Sequence, residues 1–408
     1  MPQIKGDKAF MGRYFVLGLL ALTFALKAAD IPQSSAGSPR FVVRTDPSWD
    51  KYTKSPSPSM KEWFQSKVWR MEVYSTYWDS RLSWYPNAWV YINLYAIYVG
   101  SDLAKKHPEW ILKDSAGNPL YIPWGCGNGH CPQYAGNVAD PGFRQHWIDE
   151  ARRLKERGYK GLFIDDVNLE YRVADQFTKH KMVINPKSKA EMTSGDWQKS
   201  VADFTQQIRK AFPDMEIVHN AIWFAGGKQR INNPNVQEEI SSADLINLER
   251  GANDTGLHGG NGEWSLNAFL NYIDGVHKLG RGVIMDSTPG KTEYSLSVFF
   301  LISSGKDAFG DQGMKPSDWW PGLGVSLGEP LAPREDWQGL LRRRFDRGVV
   351  LVNPPDSKPA NIKLSTQFRR ADGTKAADSL TLPAMSGVIL VGPVDHTKSV
   401  DKVISVSR

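Results

Sequence analysis

With 408 residues, 41% of them hydrophobic and 23% charged, the chain has the composition of an ordinary globular protein, long enough for one large domain and one small one. Its net charge of +6 is spread along the sequence, and the one dense basic cluster, Arg342 to Arg344, is too short to suggest a nucleic-acid footprint, so no nucleic-acid partner is expected. The 15 Trp and 14 Tyr are more informative, because flat amphipathic rings stack on sugars as well as fill cores.

Lys5, Lys8 and Arg13 precede an apolar stretch from Tyr14 to Leu26 that is short for a bilayer span, and Ala28 and Ala29 follow. Residues 1–29 therefore read as a secretory signal peptide, which predicts a periplasmic or extracellular protein with no stable membrane insertion after cleavage. Lys27 occupies a place where a small residue is expected for cutting after Ala29, so an uncleaved anchor is the alternative. Residues 30–40, rich in Ser, Pro and Gly, read as a linker.

From Phe41 onward, short apolar or β-branched runs ending in polar residues alternate with helical patterns or long loops. Eight strand candidates result: Phe41 to Arg44, Ala88 to Leu94, Tyr134 to Ala139, Gly161 to Asp165, Glu216 to Asn220, Asp244 to Glu249, Gly282 to Asp286 and Asp307 to Asp311. Ahead of the fourth, Asp140 suits an N-cap and Pro141 the first helical position, Phe143, Trp147, Ala151 and Leu154 form one apolar stripe, and Gly158 supplies the stop. Stripes of the same period run through Trp197 to Phe212 and Leu266 to Leu279. The alternation predicts an α/β fold, a (β/α)8 TIM barrel over residues 41–335. Between the second and third strands, Cys126 and Cys131 bracket the loop CGNGHC and read as a disulfide clip; zinc would need more ligands than His130 adds.

Beyond Asp311 the helical stripes stop. Strand-like pieces at Val349 to Val352, Ile362 to Leu364, Leu380 to Leu382 and Val388 to Val391, separated by Pro354, Pro355, Gly373 and Pro383, predict a small antiparallel β-sandwich over residues 342–394. The polar residues 395–408 read as a flexible tail.

In a barrel, polar side chains at the carboxyl ends of the strands converge on one mouth. Here that set is Asp46, Asn93, Asp165, His219, Asn220, Glu249, Asp286 and Asp311. Alternation puts Phe163 and Asp165 on one side of the fourth strand and Asp166 on the other. Two carboxylates facing each other across a pocket are the apparatus of glycoside hydrolysis, which assigns Asp165 as nucleophile and Glu249 as general acid/base, with Asp166 able to exchange with Asp165 and Asp286 as the fallback acid. Trp124, Trp223, Phe224 and Trp264 fall in loops expected at the rim, where rings stack on sugars; Asn93 and Tyr95 suit sugar hydroxyls, and Arg250 an acidic sugar or the neighbourhood of Glu249.

Other chemistries fit poorly. A metal-dependent polysaccharide deacetylase needs clustered histidines, and the eight here are dispersed. No phosphate-cradling loop is present, and the GVSLG string at Gly324 to Gly328 has neither the strand nor the helix of a nucleophile elbow. No metal and no cofactor is expected, and the oligomeric state is left open.

The segments Trp84 to Tyr98, His107 to Leu120, Asn137 to Ala151, GLFIDDVN and INLERGAND together resemble the bacterial hypothetical glycosyl hydrolases related to endo-α-1,4-polygalactosaminidase, over about Phe41 to Val391. The resemblance, which extends to α-galactosidase-like glycosidases, implies a TIM barrel with an appended β-sandwich, an aspartate nucleophile after the fourth strand at Asp165 and an acid/base carboxylate after the sixth at Glu249. Together with the signal segment it implies a secreted, α-linkage-directed hydrolase of a polysaccharide or oligosaccharide, expected to be retaining, with inversion the alternative because the sequence does not give the separation of the two carboxylates. An inactive carbohydrate-binding or polysaccharide-export accessory protein on the same barrel is the alternative.

Overall fold

The computed structural model describes residues 31–170, 172–185, 188–221, 231–254, 256–311, 314–365, 367–392 and 404–407; the expected signal peptide lies outside them. Eight parallel strands close into a barrel: β1 (Phe41–Arg44), β2 (Arg70–Val73), β3 (Ala88–Asn93), β4 (Gly161–Asp165), β5 (Glu216–Asn220), β6 (Leu245–Leu248), β7 (Gly282–Ser287) and β8 (Ala308–Asp311). Among the described residues six longer helices lie between them: α1 (Pro58–Lys67), α2 (Pro141–Glu156), α3 (Ser194–Ala211), α4 (Pro234–Ser242), α5 (Leu266–Lys278) and α6 (Thr292–Ile302). Asp140 caps α2 as its sequence predicts, accepting from the amides of Gly142 and Phe143 at 2.8 and 3.0 Å.

Two of the expected strands change. Residues Gln133–Ala135 pair antiparallel with Ala96–Tyr98 in an arm outside the barrel, so Tyr134 to Ala139 is not a barrel strand. The missing member is β2, read RMEV, whose alternating charges mimic a solvent-facing strand. Both charged side chains instead turn into the barrel and find partners there. Arg70 makes two bonds to Glu216, at 2.7 and 2.6 Å, and Glu72 accepts from Arg44 at 2.8 Å. Ala88–Asn93 is thus the third strand rather than the second, while Gly161–Asp165 keeps fourth place and Leu245–Leu248 sixth.

Alternate side chains fill the barrel in layers. At its amino-terminal end Glu216 also accepts from the Trp89 indole at 2.7 Å. Above them Val42, Phe163, Val218, Leu245, Ile284 and Ala308 pack around Trp89, and the polar groups of the mouth stand on this apolar layer. Breaking a buried ion pair leaves a charge stranded in low dielectric. Arg70→Met is accordingly expected to lower the free energy of unfolding by about 3–5 kcal/mol in urea titration, and Arg70→Met/Glu216→Met to regain most of it.

The C-terminal region is a five-stranded antiparallel sheet, running Glu335–Trp337, Leu340–Phe345, Gly348–Asn353, Ser386–Val391 and Arg369–Arg370 in spatial order, with a three-stranded sheet facing it. Leu351, Ile362, Val388, Leu390 and Ile404 fill the space between. One outer strand of the smaller sheet is Ile404–Ser407, which pairs with Ala360–Leu364; this part of the expected flexible tail is ordered because Ile404 has a core to enter. Helix α6 is buried from Tyr294 to Ile302, between barrel and sheet, which explains its lack of a polar face. Phe300 meets Phe345 edge-on there, and Arg370 pairs with Glu293 at 2.6 Å.

Candidate active site

The strands end in a second inward-facing layer that is almost entirely polar: Arg44, Glu72, Tyr91, Asp165, Asn220, Asn247 and Asp286. Parity explains the choice, since each lies two residues beyond a side chain of the apolar layer or beside one that does. Above them opens a cavity of about 660 Å³, into which Asp165, Asp166, Asn220, Glu249, Arg250 and Trp124 all reach.

Asp165 is held from three sides. Tyr91 donates its hydroxyl to Oδ2 at 2.6 Å, while Oδ1 accepts from Asn220 Nδ2 at 2.8 Å and from the Asp166 amide at 2.8 Å. Burial, then the charge of Asp165, push the Tyr91 hydroxyl far above its ordinary value, so it remains a donor. The Asn220 amide nitrogen also lies 3.4 Å from Glu249 Oε2. One amide nitrogen thus stands between an oxygen of each carboxylate. Asn247 in turn donates to Asn220 Oδ1 at 3.0 Å, fixing which end of that amide faces the carboxylates.

Asp166 has a different role in the geometry. The chain leaves β4 through a left-handed conformation at this residue (φ 56°), which turns its side chain back toward β3. Oδ2 accepts from Asn93 at 2.6 Å, and Oδ1 from the Trp124 indole at 3.1 Å and from Asn168 at 3.3 Å. Burial and neighbouring Asp165 raise its carboxyl to about 6, against the pull of those donors. Asn93 does not line the cavity; it fixes Asp166 and, through Oδ1, the amides of Tyr95 and Ala96. Trp124, 47% exposed, is thereby placed on the cavity wall, on a loop clipped by the Cys126–Cys131 disulfide.

Glu249 and Arg250 follow β6 directly. Arg250 (φ 65°) and Gly251 (φ 50°) are both left-handed, and a Cβ on Gly251 would meet the Asp286 carbonyl oxygen at 2.3 Å, so the turn that presents the two side chains requires glycine there. On the opposite side Glu72 is driven upward by burial, to about 7, although Arg44 pulls it down. The folded state holds this proton up to about pH 7 whereas the unfolded chain releases it near 4.5, so the stability it contributes is complete below 4.5 and lost as pH rises to 7. Glu72→Gln is expected to gain about 1–3 kcal/mol on wild type between pH 4 and pH 8, read by urea unfolding at both.

Besides Asn93, four expected site residues do not reach the cavity. Asp46 lies past the end of β1, exposed, accepting from the Ser48 amide at 2.7 Å. Tyr95 is fully buried edge-on against Trp197. His219 faces away from the barrel axis and meets Glu239 on α4 at 2.6 Å, one position out of phase with Asn220. Asp286 does point inward, but Asn247 at 3.4 Å and the bare Gly310, where a Cβ would lie 2.1 Å from Asp286 Oδ1, enclose it. Asp311 ends β8; its side chain, and Trp223 with Phe224, lie outside the described residues. Tyr91 and Arg44 are among the cavity residues that the strand-end reasoning passes over. Both have the parity of Asn93 or of the apolar layer, which was the available signal. Tyr74 and Trp264 add exposed rings to the wall, at 42% and 45%. Among the described residues no group of His, Cys, Asp and Glu is arranged to hold a metal ion.

Residues 70–349 match the family model described as hypothetical glycosyl hydrolase family 15, which leaves β1 outside and ends in the C-terminal sheet. Among solved structures, the glycoside hydrolase domain of PelA from Pseudomonas aeruginosa is similar at 15% identity and a TM-score of 0.41, over 71% of this chain and 98% of that one. The noncanonic maltogenic α-amylase AmyB from Thermotoga neapolitana is similar at 10% identity and a TM-score of 0.49, over 87% and 99%. The α-galactosidase TtGalA from Thermus thermophilus is similar at 13% identity and a TM-score of 0.40, over 72% and 61%. No curated protein matches the sequence. Identities this low transfer neither a residue nor a substrate to this chain.

Proposed function

The chain belongs to hypothetical glycosyl hydrolase family 15, and on that premise we propose that it is a secreted, retaining hydrolase of an O-linked polysaccharide, with Asp165 as nucleophile and Glu249 as acid/base. One observation carries the reading: the two carboxylates share the Asn220 amide across an open cavity. Asp165 Oδ1 already accepts two bonds and Oδ2 one, so Oδ2 keeps a lone pair for the anomeric carbon. Its attack breaks the bond to the leaving oxygen, which takes a proton from Glu249. Glu249 then removes a proton from water, whose oxygen displaces Asp165 and regenerates both carboxyl groups. The Cys126–Cys131 bridge accords with an oxidising compartment, and the preference for α-linkages rests on the sequence resemblance alone.

Reducing-end release from a panel of α- and β-linked polymers, amino-sugar chains included, tests the reading. Release from an α-linked member is the expected result. Polymer binding without release anywhere on the panel would replace the enzyme by the binding or export accessory protein.

Burial that raises Asp166 to about 6 favours a second assignment, in which Asp166 supplies the proton. Its two oxygens are, however, occupied by three donors, while Glu249 stands exposed in the cavity. If Asp166 were the acid, Asp166→Asn rather than Glu249→Gln would make the rate depend on the leaving group.

A further inference from the structure

Arg44 closes β1 with its side chain turned into the barrel, in register with Glu72 on β2. Its Nε donates to Glu72 Oε2 at 2.8 Å, and the Phe163 ring lies 5.5 Å from Cζ. No other hydrogen bond from the described residues engages the guanidinium, so Nη1 and Nη2 are uncommitted. The side chain is 31% exposed, and it lines the same cavity as Asp165 and Glu249. Glu72 is withdrawn from that cavity: its side chain is 5% exposed, and Oε1 is buried without a partner. Keeping a half-satisfied carboxylate at such depth is costly, and what it visibly achieves is the direction of the guanidinium.

The charge around Arg44 selects among ligands. Glu72, Asp286 and Glu249 all contribute negative potential at the guanidinium, so a carboxylate or sulfate on the sugar enters a field that is already compensated. Neutral hydroxyls meet no such opposition, and the two terminal nitrogens of a planar fork suit two adjacent hydroxyl oxygens. We propose that Arg44 binds a pair of neighbouring hydroxyls of the sugar ring that lies over Asp165, determining which sugars are accepted, and that Glu72 is the positioning residue that aims it. The inference rests on reading the cavity as a sugar site.

The test uses the full chain as wild type, Arg44→Lys, Arg44→Met, Glu72→Gln and Glu72→Ala, each checked for folding by circular dichroism and thermal melting. The probes are the methyl α-glycosides of glucose, galactose, galactosamine and N-acetylgalactosamine, with binding read by tryptophan fluorescence and saturation-transfer NMR. At least one probe is expected to bind wild type, Arg44→Met to weaken it about tenfold or more, and Arg44→Lys to fall between. Glu72→Ala should weaken binding nearly as much, whereas Glu72→Gln, which keeps an acceptor for Nε, should stay within about threefold of wild type. Binding unchanged in folded Arg44→Met overturns the proposal, as does a Glu72→Ala chain that melts lower yet binds normally, or a wild type that binds none of the probes. The expected order of affinities in a chain that hydrolyses nothing supports this inference while ending the hydrolase reading. Hydrolysis and binding both indifferent to Arg44→Met do the reverse.

Discussion

Asp165→Ala is expected to lower turnover on any polymer the wild type cleaves by roughly 10⁴-fold or more, with the melting temperature shifted by only a few degrees. The size of the loss follows from what Asp165 does in the proposed reaction: without it no covalent intermediate forms, and no neighbour replaces it. Asp166 also borders the cavity, but its two oxygens are held by Asn93, Trp124 and Asn168. Folding should tolerate the change because Asp165 sits on top of the apolar layer and its donors, Tyr91 and Asn220, border an open cavity. Initial rates of reducing-end release, with thermal melting as control, measure both parts. A variant that keeps a tenth of the wild-type rate would remove Asp165 from the mechanism.

Glu249→Ala should behave differently, because protonating the leaving oxygen matters in proportion to how poor a leaving group it is. For a polysaccharide, whose leaving group is an alcohol, the expected loss is about 10²–10⁴-fold. For an aryl glycoside with an acidic phenol the first step needs little help, so the loss should shrink there and a covalent intermediate should accumulate as a burst. Added azide, which needs no general base, should restore turnover and yield a glycosyl azide. Equal losses on both substrate types with no azide effect would assign Glu249 to binding. Its open position beside the Asn220 amide, in a turn that requires glycine at Gly251, is what makes the acid/base role specific to this residue.

Much of this arrangement was legible in the sequence, for identifiable reasons. The run LFI in β4 marks a strand covered on both faces, the Asp140 cap and the stripe of α2 fix where the strand must start, and strand parity then points Asp165 inward. Glu249 follows from the same reasoning after β6. β2 was hidden because its two charges are satisfied by residues far away in sequence, Glu216 and Arg44, and no local pattern announces such partners. The loss of β2 displaced the count, and the Tyr134 segment filled the vacancy. His219 and Asn220 were equally plausible by position at a strand end; the register separates them, one toward Glu239 on α4 and the other toward Asp165. Asp286 shows the limit of parity, since an inward carboxylate is still sealed when Asn247 and Gly310 close over it. Enclosure of that kind depends on three separate strands.

The account turns on Asp165 and Glu249 acting on one anomeric carbon, and trapping the covalent intermediate measures that most directly. The wild type is incubated with a 5-fluoro glycosyl fluoride of the sugar the polymer panel reveals, and the labelled peptide is identified by mass spectrometry. The prediction is a single glycosyl label on Asp165, with the normal product released in its original anomeric configuration by ¹H NMR. A label on any other residue, or a product of inverted configuration, would contradict it.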